Sequence, residues 1–222
     1  MKMKRTLLIV LLSVCGLLLS GCKFGGRGIA GSGNRKSEKR ELKPFRAIDT
    51  TGAYEIEIAC QQPASFEIET DDNILPLIKT EVRDGVLYVA NDEPYRASRG
   101  VQLRINLAEL TQVSSRGAGE IKVDNASGDT LKFDSTGAAS ITAAGKVNSI
   151  IISSTGAGRV DTSKLVAEKA QVTTTGAASV DVYASVQLDV TISGAGSVNY
   201  SGHPATINKH ITGFGSLNSK GQ

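Results

Sequence analysis

A short glycine motif recurs through the second half of the chain at nearly constant intervals, and this repeat restricts the fold more than any other feature. Its first glycines lie 20, 19, 20, 18 and 19 residues apart: Gly117, Gly137, Gly156, Gly176, Gly194 and Gly213. The following residue is Ala in every copy except the last, which has Phe214. A fixed period indicates stacked copies of one unit, because a single copy buries too little apolar surface to fold alone.

Apolar residues flank each glycine at fixed offsets and alternate with polar ones, a period of two that predicts strands on both sides of a tight turn. The residues four before the glycines are Val113, Phe133, Ile152, Val172, Val190 and Lys209. Those four after are Ile121, Ile141, Val160, Val180, Val198 and Leu217. We therefore predict an all-β fold, a right-handed parallel β-helix (β-solenoid) of about 19 residues per coil with glycine at its corners.

The last copy departs from the pattern at two positions. Lys209 interrupts an apolar column, and Phe214 replaces the recurring alanine. Either residue would suit a cap over the open end of the core, and the lysine would equally suit a last strand that has turned outward.

A further match, Thr51-Gly52-Ala53, lies 65 residues before Gly117, which predicts an interrupted register. Asp84-Gly85 stands between two apolar runs and predicts a β-hairpin. We therefore predict one solenoid domain over residues 44–222. Its irregular β portion, 44–110, would cap the first coil, and 111–222 would hold the regular repeats.

The N-terminus has the features of an export signal. Lys2, Lys4 and Arg5 precede an apolar stretch that is short for a membrane span and ends at Leu19-Ser20-Gly21-Cys22. This tetrapeptide resembles the lipobox of bacterial lipoproteins. The resemblance implies a signal peptide over residues 1–21, a diacylglycerol on Cys22 and no other cofactor. Lys23 follows Cys22, and in Gram-negative lipoproteins a residue other than Asp here goes with sorting to the outer membrane.

Charge divides the mature chain into two parts. Loss of residues 1–21 leaves 22 basic and 22 acidic residues, but residues 23–40 hold six basic residues against Glu38 alone. Together with its glycines, this segment predicts a flexible basic tether over residues 22–43. A basic tether would suit anionic lipid headgroups and would equally suit a solvated spacer. The acidic body, which has no Trp, argues against nucleic acid as a partner.

One ladder of outward positions carries two acids. The residues five after the turn glycines include Asp161 and Asp181, which stacking would bring to roughly 5 Å from each other. Two such carboxylates either share a cation or shift each other's pKa, and Arg159 is placed to neutralise them. The alternative is a solvated polar ladder. We assign no catalytic residue and no dedicated metal centre.

The opening F-R-A-I-D-T-T-G-A-Y-E-I-E-I, the D-G-V-L-Y-V hairpin and the repeated T-G-A turns resemble the DUF2807 family, over roughly residues 45–220. Members of that family are described as auto-transporter adhesin head GIN domains. The resemblance implies a right-handed β-solenoid at a bacterial cell surface, and the family offers no agreed catalytic residues to carry over.

Three functions fit these features. The first is a surface-anchored, non-catalytic binding or adhesion module, with a Ser/Thr-rich face that meets a glycan or a surface protein. The second is a structural spacer of the cell envelope without a ligand. The third is a polysaccharide-active enzyme that uses Asp161 and Asp181. We favour the first, with a lipid anchor in the outer membrane.

Overall fold

The computed structural model describes residues 28–221, so the predicted signal peptide and Cys22 lie outside the described residues. The described chain is almost entirely β structure, with one turn of 3-10 helix at Leu75–Leu77. The strands are β1 (Ile29–Ala30), β2 (Arg35–Lys39), β3 (Ala47–Gly52), β4 (Glu55–Cys60), β5 (Ser65–Asp71), β6 (Ile78–Arg83), β7 (Val86–Asn91), β8 (Tyr95–Arg96), β9 (Gln102–Leu107), β10 (Gln112–Gly117), β11 (Glu120–Gly137), β12 (Ser140–Gly156), β13 (Arg159–Gly176), β14 (Ser179–Tyr183), β15 (Gln187–Gly194), β16 (Ser197–Ser201), β17 (Thr206–Gly213) and β18 (Ser216–Ser219).

The strands build two walls that meet at the glycine corner. Sheet I, which precedes the corner along the chain, has the order β6-β7-β3-β10, then the ends of β11, β12 and β13, then β15-β17. Sheet II, which follows the corner, has the order β2-β5-β9-β4, then the starts of β11, β12 and β13, then β14-β16-β18. The ladders between regular coils are parallel, which confirms the predicted parallel β-helix.

The core consists of apolar columns that run along the solenoid between the walls. In sheet I, Val113, Phe133, Ile152 and Val172 lie directly above one another and are buried. In the regular coils β11, β12 and β13 continue past a register irregularity near residues 123–126 and 142–144, so that residues such as 126–128 and 145–147 form a short third face. This third face closes the core on the side opposite the glycine corner.

The glycine corner depends on close backbone stacking. Gly156 has a φ of +123°, and a Cβ added there would collide with the carbonyl oxygen of Gly137 in the coil below. The same carbonyl accepts a hydrogen bond from Ala157 N at 2.9 Å. Glycine is therefore needed both for its backbone conformation and for its lack of a side chain.

The predicted interruption of the register between Gly52 and Gly117 is wrong, because the strands that carry these two glycines pair directly with each other. Gly52 pairs directly with Gly117, so β3 and β4 form a coil beneath β10 and β11. The intervening chain forms another coil on the other side, with β7 against β3 and β9 against β4. Among the described strands, β2, β5 and β6 alone are antiparallel to the rest and cover this end of the solenoid. The predicted hairpin at Asp84-Gly85 is confirmed between β6 and β7.

The predicted flexible tether over residues 22–43 is wrong for residues 29–39, which belong to the folded body. β1 pairs with β8, and β2 pairs with β5. The buried carboxylate of Asp71 holds this arm in place by accepting hydrogen bonds from Gly33 N (2.9 Å), Ser98 N (2.7 Å) and Ser98 Oγ (2.6 Å). The sequence looks like a linker because β2 is an edge strand with mostly exposed polar side chains.

Among the described residues, no strand covers the C-terminal end of the solenoid. Within residues 28–221, β17 pairs only with β15, and β18 pairs only with β16. Phe214 is 97 % exposed and therefore does not cover the core. Lys209 continues the inward column of Val190 and is exposed only because no further coil follows it among the described residues.

Candidate functional site

The acidic pair predicted from the sequence lies on the outer surface of sheet II. Asp161 and Asp181 are register partners in β13 and β14, and Asn199 and Asn218 continue the ladder in β16 and β18. The sequence therefore predicted the stacking of Asp161 and Asp181 correctly. It did not predict how far Asp181 is removed from solvent.

Asp181 is a nearly buried carboxylate with three polar partners. It is only 2 % exposed although it faces outward, because longer side chains of neighbouring coils cover it. One oxygen accepts a hydrogen bond from Arg159 Nη2 at 2.8 Å. The other accepts hydrogen bonds from Lys220 Nζ at 2.6 Å and Asn199 Nδ2 at 2.9 Å. Both carboxylate oxygens are therefore fully engaged.

These contacts fix the ionisation of Asp181. Burial by itself would raise its pKa, but the hydrogen bonds from Lys220 and Asn199 and the positive charges of Lys220 and Arg159 outweigh it and hold the pKa below its usual value. Asp181 is therefore an anion neutralised by two cations rather than a proton donor.

Asp161 has a different environment from its neighbour. It is half-buried and accepts hydrogen bonds from Ser163, two residues later in the same strand, from N at 3.2 Å and from Oγ at 2.6 Å. The guanidinium of Arg159 lies 4.0 Å from it. Among residues 28–221, no group of three or more His, Cys, Asp or Glu side chains converges in a way that could hold a metal ion.

Sequence reasoning missed Lys220, which spans two coils to reach Asp181. Its backbone N donates to Tyr200 O at 2.7 Å, so the chain after β18 remains aligned with β16. Lys220 lies seven residues after Gly213, and Asp181 lies five after Gly176. A search of neighbouring outward columns for opposite charges would have found the pair.

A second candidate surface lies on the outside of sheet I, where six hydroxyl side chains form two parallel columns. We call this surface the hydroxyl face: Ser153, Thr155, Thr173, Thr175, Thr191 and Ser193. Register pairing stacks them coil upon coil, and each is exposed or half-buried. Within the described chain none of the six side chains makes a hydrogen bond to another protein group. All six hydroxyls are therefore available to a ligand or to water.

Hydroxyl groups of the same strands also point inward. Ser154 and Thr174 alternate with the hydroxyl face and are buried, with no hydrogen-bond partner in the part of the chain that the structure describes. They pack inside the glycine corner, where Thr174 Oγ1 lies 3.0 Å from the point where a Cβ on Gly196 would be. The Ser and Thr side chains of these strands therefore alternate between two sides: some pack in the core, and the others lie on the outer surface.

Cys60 is the one cysteine among the described residues, and its thiol is poorly suited to nucleophilic chemistry. Cys60 is buried at the end of β4, and burial, with a contribution from the Asp124 carboxylate, raises the pKa of its thiol to about 11. A thiol with such a pKa carries little nucleophilic thiolate near neutral pH.

A known family model covers most of the solenoid. The family model described as "Putative auto-transporter adhesin, head GIN domain" (DUF2807) matches residues 44–204. The chain belongs to the DUF2807 family. The matched region of this DUF2807 protein ends before β17, so its last coil extends the repeat beyond the matched residues.

Solved structures share the DUF2807 solenoid. An adhesin-like protein of Bacteroides fragilis, described as a "putative adhesin", superposes with a TM-score of 0.71 at 21 % identity, over 87 % of this chain and 100 % of that one. A "putative adhesin" of Parabacteroides merdae gives a TM-score of 0.55 at 18 % identity, over 87 % and 99 %. A "putative lipid binding protein" of Parabacteroides distasonis gives 0.54 at 20 %, over 87 % and 100 %. These likenesses establish the shared fold.

No curated protein is significantly similar to this chain. Among the described residues of the DUF2807 protein, no helix is long and apolar enough to cross a membrane.

Proposed function

We propose that this protein is a non-catalytic adhesion module of the bacterial surface, anchored through a diacylglycerol on Cys22 and binding its partner through the hydroxyl face. The observation that carries the proposal is the set of six aligned hydroxyls, none of which has a hydrogen-bond partner within residues 28–221. Stacked strands hold them at the roughly 4.8 Å spacing of a sheet, so a partner meets a preorganised surface.

A glycan or the backbone of a surface protein suits this face. Each hydroxyl both donates and accepts a hydrogen bond, and both partners present groups that do the same. The face has no charged side chain, and its methyl groups allow flat apolar contact between the hydrogen bonds. The membership in an adhesin family agrees with such a role.

The chemistry at Asp161 and Asp181 supports a non-catalytic protein. Glycoside hydrolysis needs one carboxylic acid that stays protonated near neutral pH, which requires a raised pKa. Asp181 has a lowered pKa and both of its oxygens are occupied. The structure also places Arg159 and Lys220 where a shared cation would otherwise be needed, so we propose a structural ion network here.

The binding proposal is tested on a glycan array with the chain from residue 23, which retains every described residue. The double variant Thr155→Val/Thr175→Val removes two exposed hydroxyls with little change of shape. We expect it to weaken binding at least tenfold. Thr142→Val, an outward position on sheet II, is the matched control and should bind as the original does. The absence of any glycan or surface-protein ligand would favour the alternative, a structural spacer.

The anchor is tested separately, by labelling cells with a clickable fatty acid and separating their membranes. Incorporation into the wild-type protein and its loss in Cys22→Ser are the expected results, with the labelled protein in the outer membrane. Gly28, the first residue that the structure describes, comes six positions after Cys22 in the sequence. At about 3.3–3.6 Å per residue, the body would lie within about 20 Å of the lipid surface.

A further inference from the structure

Phe214 is a large apolar side chain that the fold does not bury. It is 97 % exposed, whereas the other exposed large apolar side chains of the described residues are at most 45 % exposed. Its backbone is regular, because Phe214 N donates to Gly194 O at 2.8 Å just as Ala195 N donates to Gly176 O in the preceding coil. The ring therefore projects from an ordered corner and is available to contact another molecule.

A column of exposed hydroxyls runs along the solenoid and ends beside this ring. Register pairing stacks one hydroxyl residue per coil, each directly before its corner glycine: Thr136, Thr155, Thr175, Ser193 and Thr212. The column contains one half of the hydroxyl face and extends it by one coil at each end. Thr212 lies two residues before Phe214, so their Cα atoms are at most about 7 Å apart. We call these five hydroxyl residues and Phe214 the corner track.

The hydroxyls of the corner track have few contacts with other side chains. Thr212 Oγ1 lies 3.5 Å from His210 Nε2. The other four side chains make no hydrogen bond within residues 28–221. Because a hydroxyl both donates and accepts, the track offers a ligand one donor and one acceptor in each coil.

The corner track contains no charged side chain. Arg116 occupies the equivalent position in the coil before Thr136, where it binds the carboxylate of Asp49. Asp134, two residues before Thr136, lies 3.0 Å from Lys132 Nζ. The charged groups that border the start of the track are therefore neutralised by one another, and a neutral ligand suits it.

The spacing of the corner track favours a ligand that repeats once per coil. Neighbouring hydroxyls are separated by about 4.8 Å, the distance between adjacent strands, and the five coils span about 19 Å. Side chains on one face of an extended peptide recur at about 6.6 Å, so a peptide along the track would fall out of step with the coils. One hexose of an extended, equatorially linked polysaccharide advances its chain by nearly the same distance as one coil.

We propose that the corner track binds a linear neutral polysaccharide of β-1,4-linked hexoses, with its chain along the solenoid axis, one sugar per coil and one sugar stacked on Phe214. This inference rests on the proposed function, because it names the ligand class of the hydroxyl face and adds Phe214, Thr136 and Thr212 to the binding surface. Neighbouring sugars of such a chain alternate in orientation, but each has a hydroxyl at either edge and so meets the column in every coil. The C–H groups on the flat side of a sugar suit the electron-rich face of the ring.

The match of spacing is tested by titrating cello-oligosaccharides and manno-oligosaccharides of about two to seven sugars into the chain from residue 23. Calorimetry should give one site per chain. At least one of the two series should bind with an affinity that rises with each added sugar up to about five and then levels off, because the track has about five positions. Malto-oligosaccharides, whose α-1,4 links curve the chain, should bind at least tenfold more weakly at the same length.

Variants at the two ends assign the site. Phe214→Ala should weaken the pentasaccharide at least tenfold and leave the urea midpoint unchanged, because the side chain is exposed. Phe214→Tyr keeps a ring and should bind as the wild type does. Val186→Ala, at an exposed apolar position outside the track, is the matched control. Thr136→Val should weaken the pentasaccharide and leave the trisaccharide unchanged, since three sugars that start at Phe214 do not reach Thr136.

Three results would overturn the proposal: no binding of either β-1,4-linked series, an affinity that does not rise with length, or binding that is unchanged in Phe214→Ala. The double variant Thr155→Val/Thr175→Val separates such a failure from failure of the proposed function. If it weakens another ligand that Phe214→Ala leaves unaffected, the hydroxyl face binds that ligand and the corner track alone is wrong. If no ligand depends on these two hydroxyls, the proposed function is wrong as well.

Discussion

Replacing Gly156 by alanine adds a methyl group where the corner of one coil meets the corner of the next. An L-residue at a φ of +123° is strained by about 1–3 kcal/mol. The new Cβ would also displace the carbonyl of Gly137 from its 2.9 Å hydrogen bond with Ala157 N, at a cost of about 0.5–1.5 kcal/mol. We therefore expect Gly156→Ala to lower the free energy of unfolding by about 2–4 kcal/mol.

Two other glycines separate these contributions. Gly85 has a φ of +75° but no heavy atom within 4 Å of an added Cβ, so Gly85→Ala should show the backbone strain alone, about 1–2 kcal/mol. Gly158 has no such backbone strain, but an added Cβ would lie 2.6 Å from the carbonyl oxygen of Ala139 in the coil below, so Gly158→Ala should show the stacking clash alone. We expect it to cost about 0.5–1.5 kcal/mol, through the displaced carbonyl and its hydrogen bond.

The assay is urea unfolding of the chain from residue 23, followed by far-ultraviolet circular dichroism. The midpoint should fall in the order wild type, Gly158→Ala, Gly85→Ala, Gly156→Ala, with an unchanged slope. If Gly156→Ala is no more destabilising than Gly85→Ala, close stacking of the corners does not contribute and the reasoning is refuted.

Three further substitutions test other parts of the fold. Hydrogen bonds from the Ser98 side chain and backbone lower the pKa of Asp71, so the ionised carboxylate stabilises the fold fully above the unfolded pKa of about 4, and this contribution is lost as the pH falls through the lower folded pKa. The melting temperature of the wild type should therefore fall more steeply below pH 4 than that of Asp71→Asn. Parallel curves for the two proteins would contradict this. Ser154→Ala removes a buried hydroxyl without a partner in the described chain and should leave the protein as stable or up to about 1 kcal/mol more stable in the urea assay, whereas a clear loss would reveal a hidden partner. Lys209→Val removes the charge from the open end of the solenoid and should favour self-association through β17 in sedimentation experiments, whereas an unchanged monomer would show that another feature protects this edge.

The two candidate surfaces differ in whether their polar side chains bind other groups of the protein. On sheet II, Arg159 and Lys220 both bind Asp181, and these ion pairs link the last coils. On sheet I, the hydroxyl face has no such internal partners. Adhesion therefore fits sheet I better than the acidic pair that first drew attention in the sequence.

Local periodicity was enough to predict the regular coils. The offsets around Gly137, Gly156 and Gly176 fix which side chains point inward, because a strand alternates its faces strictly and parallel stacking preserves the register. The same reasoning placed Asp161 next to Asp181 and Arg159 near both. The hairpin at Asp84-Gly85 was predictable because its two turn residues have positive φ, which this dipeptide favours.

Only the tertiary structure decided how distant segments pair. The position of β3 and β4 between two later coils, and the docking of β2 on β5, depend on hydrogen bonds between backbones far apart in the chain. The hydrogen-bonding groups of the backbone are the same in nearly every residue, so the sequence does not show which segments pair. A polar edge strand therefore resembles a linker in the sequence. The burial of Asp181 beneath Lys220 has the same origin. The sequence by itself determined the repeating coil, and long-range pairing determined its order and its ends.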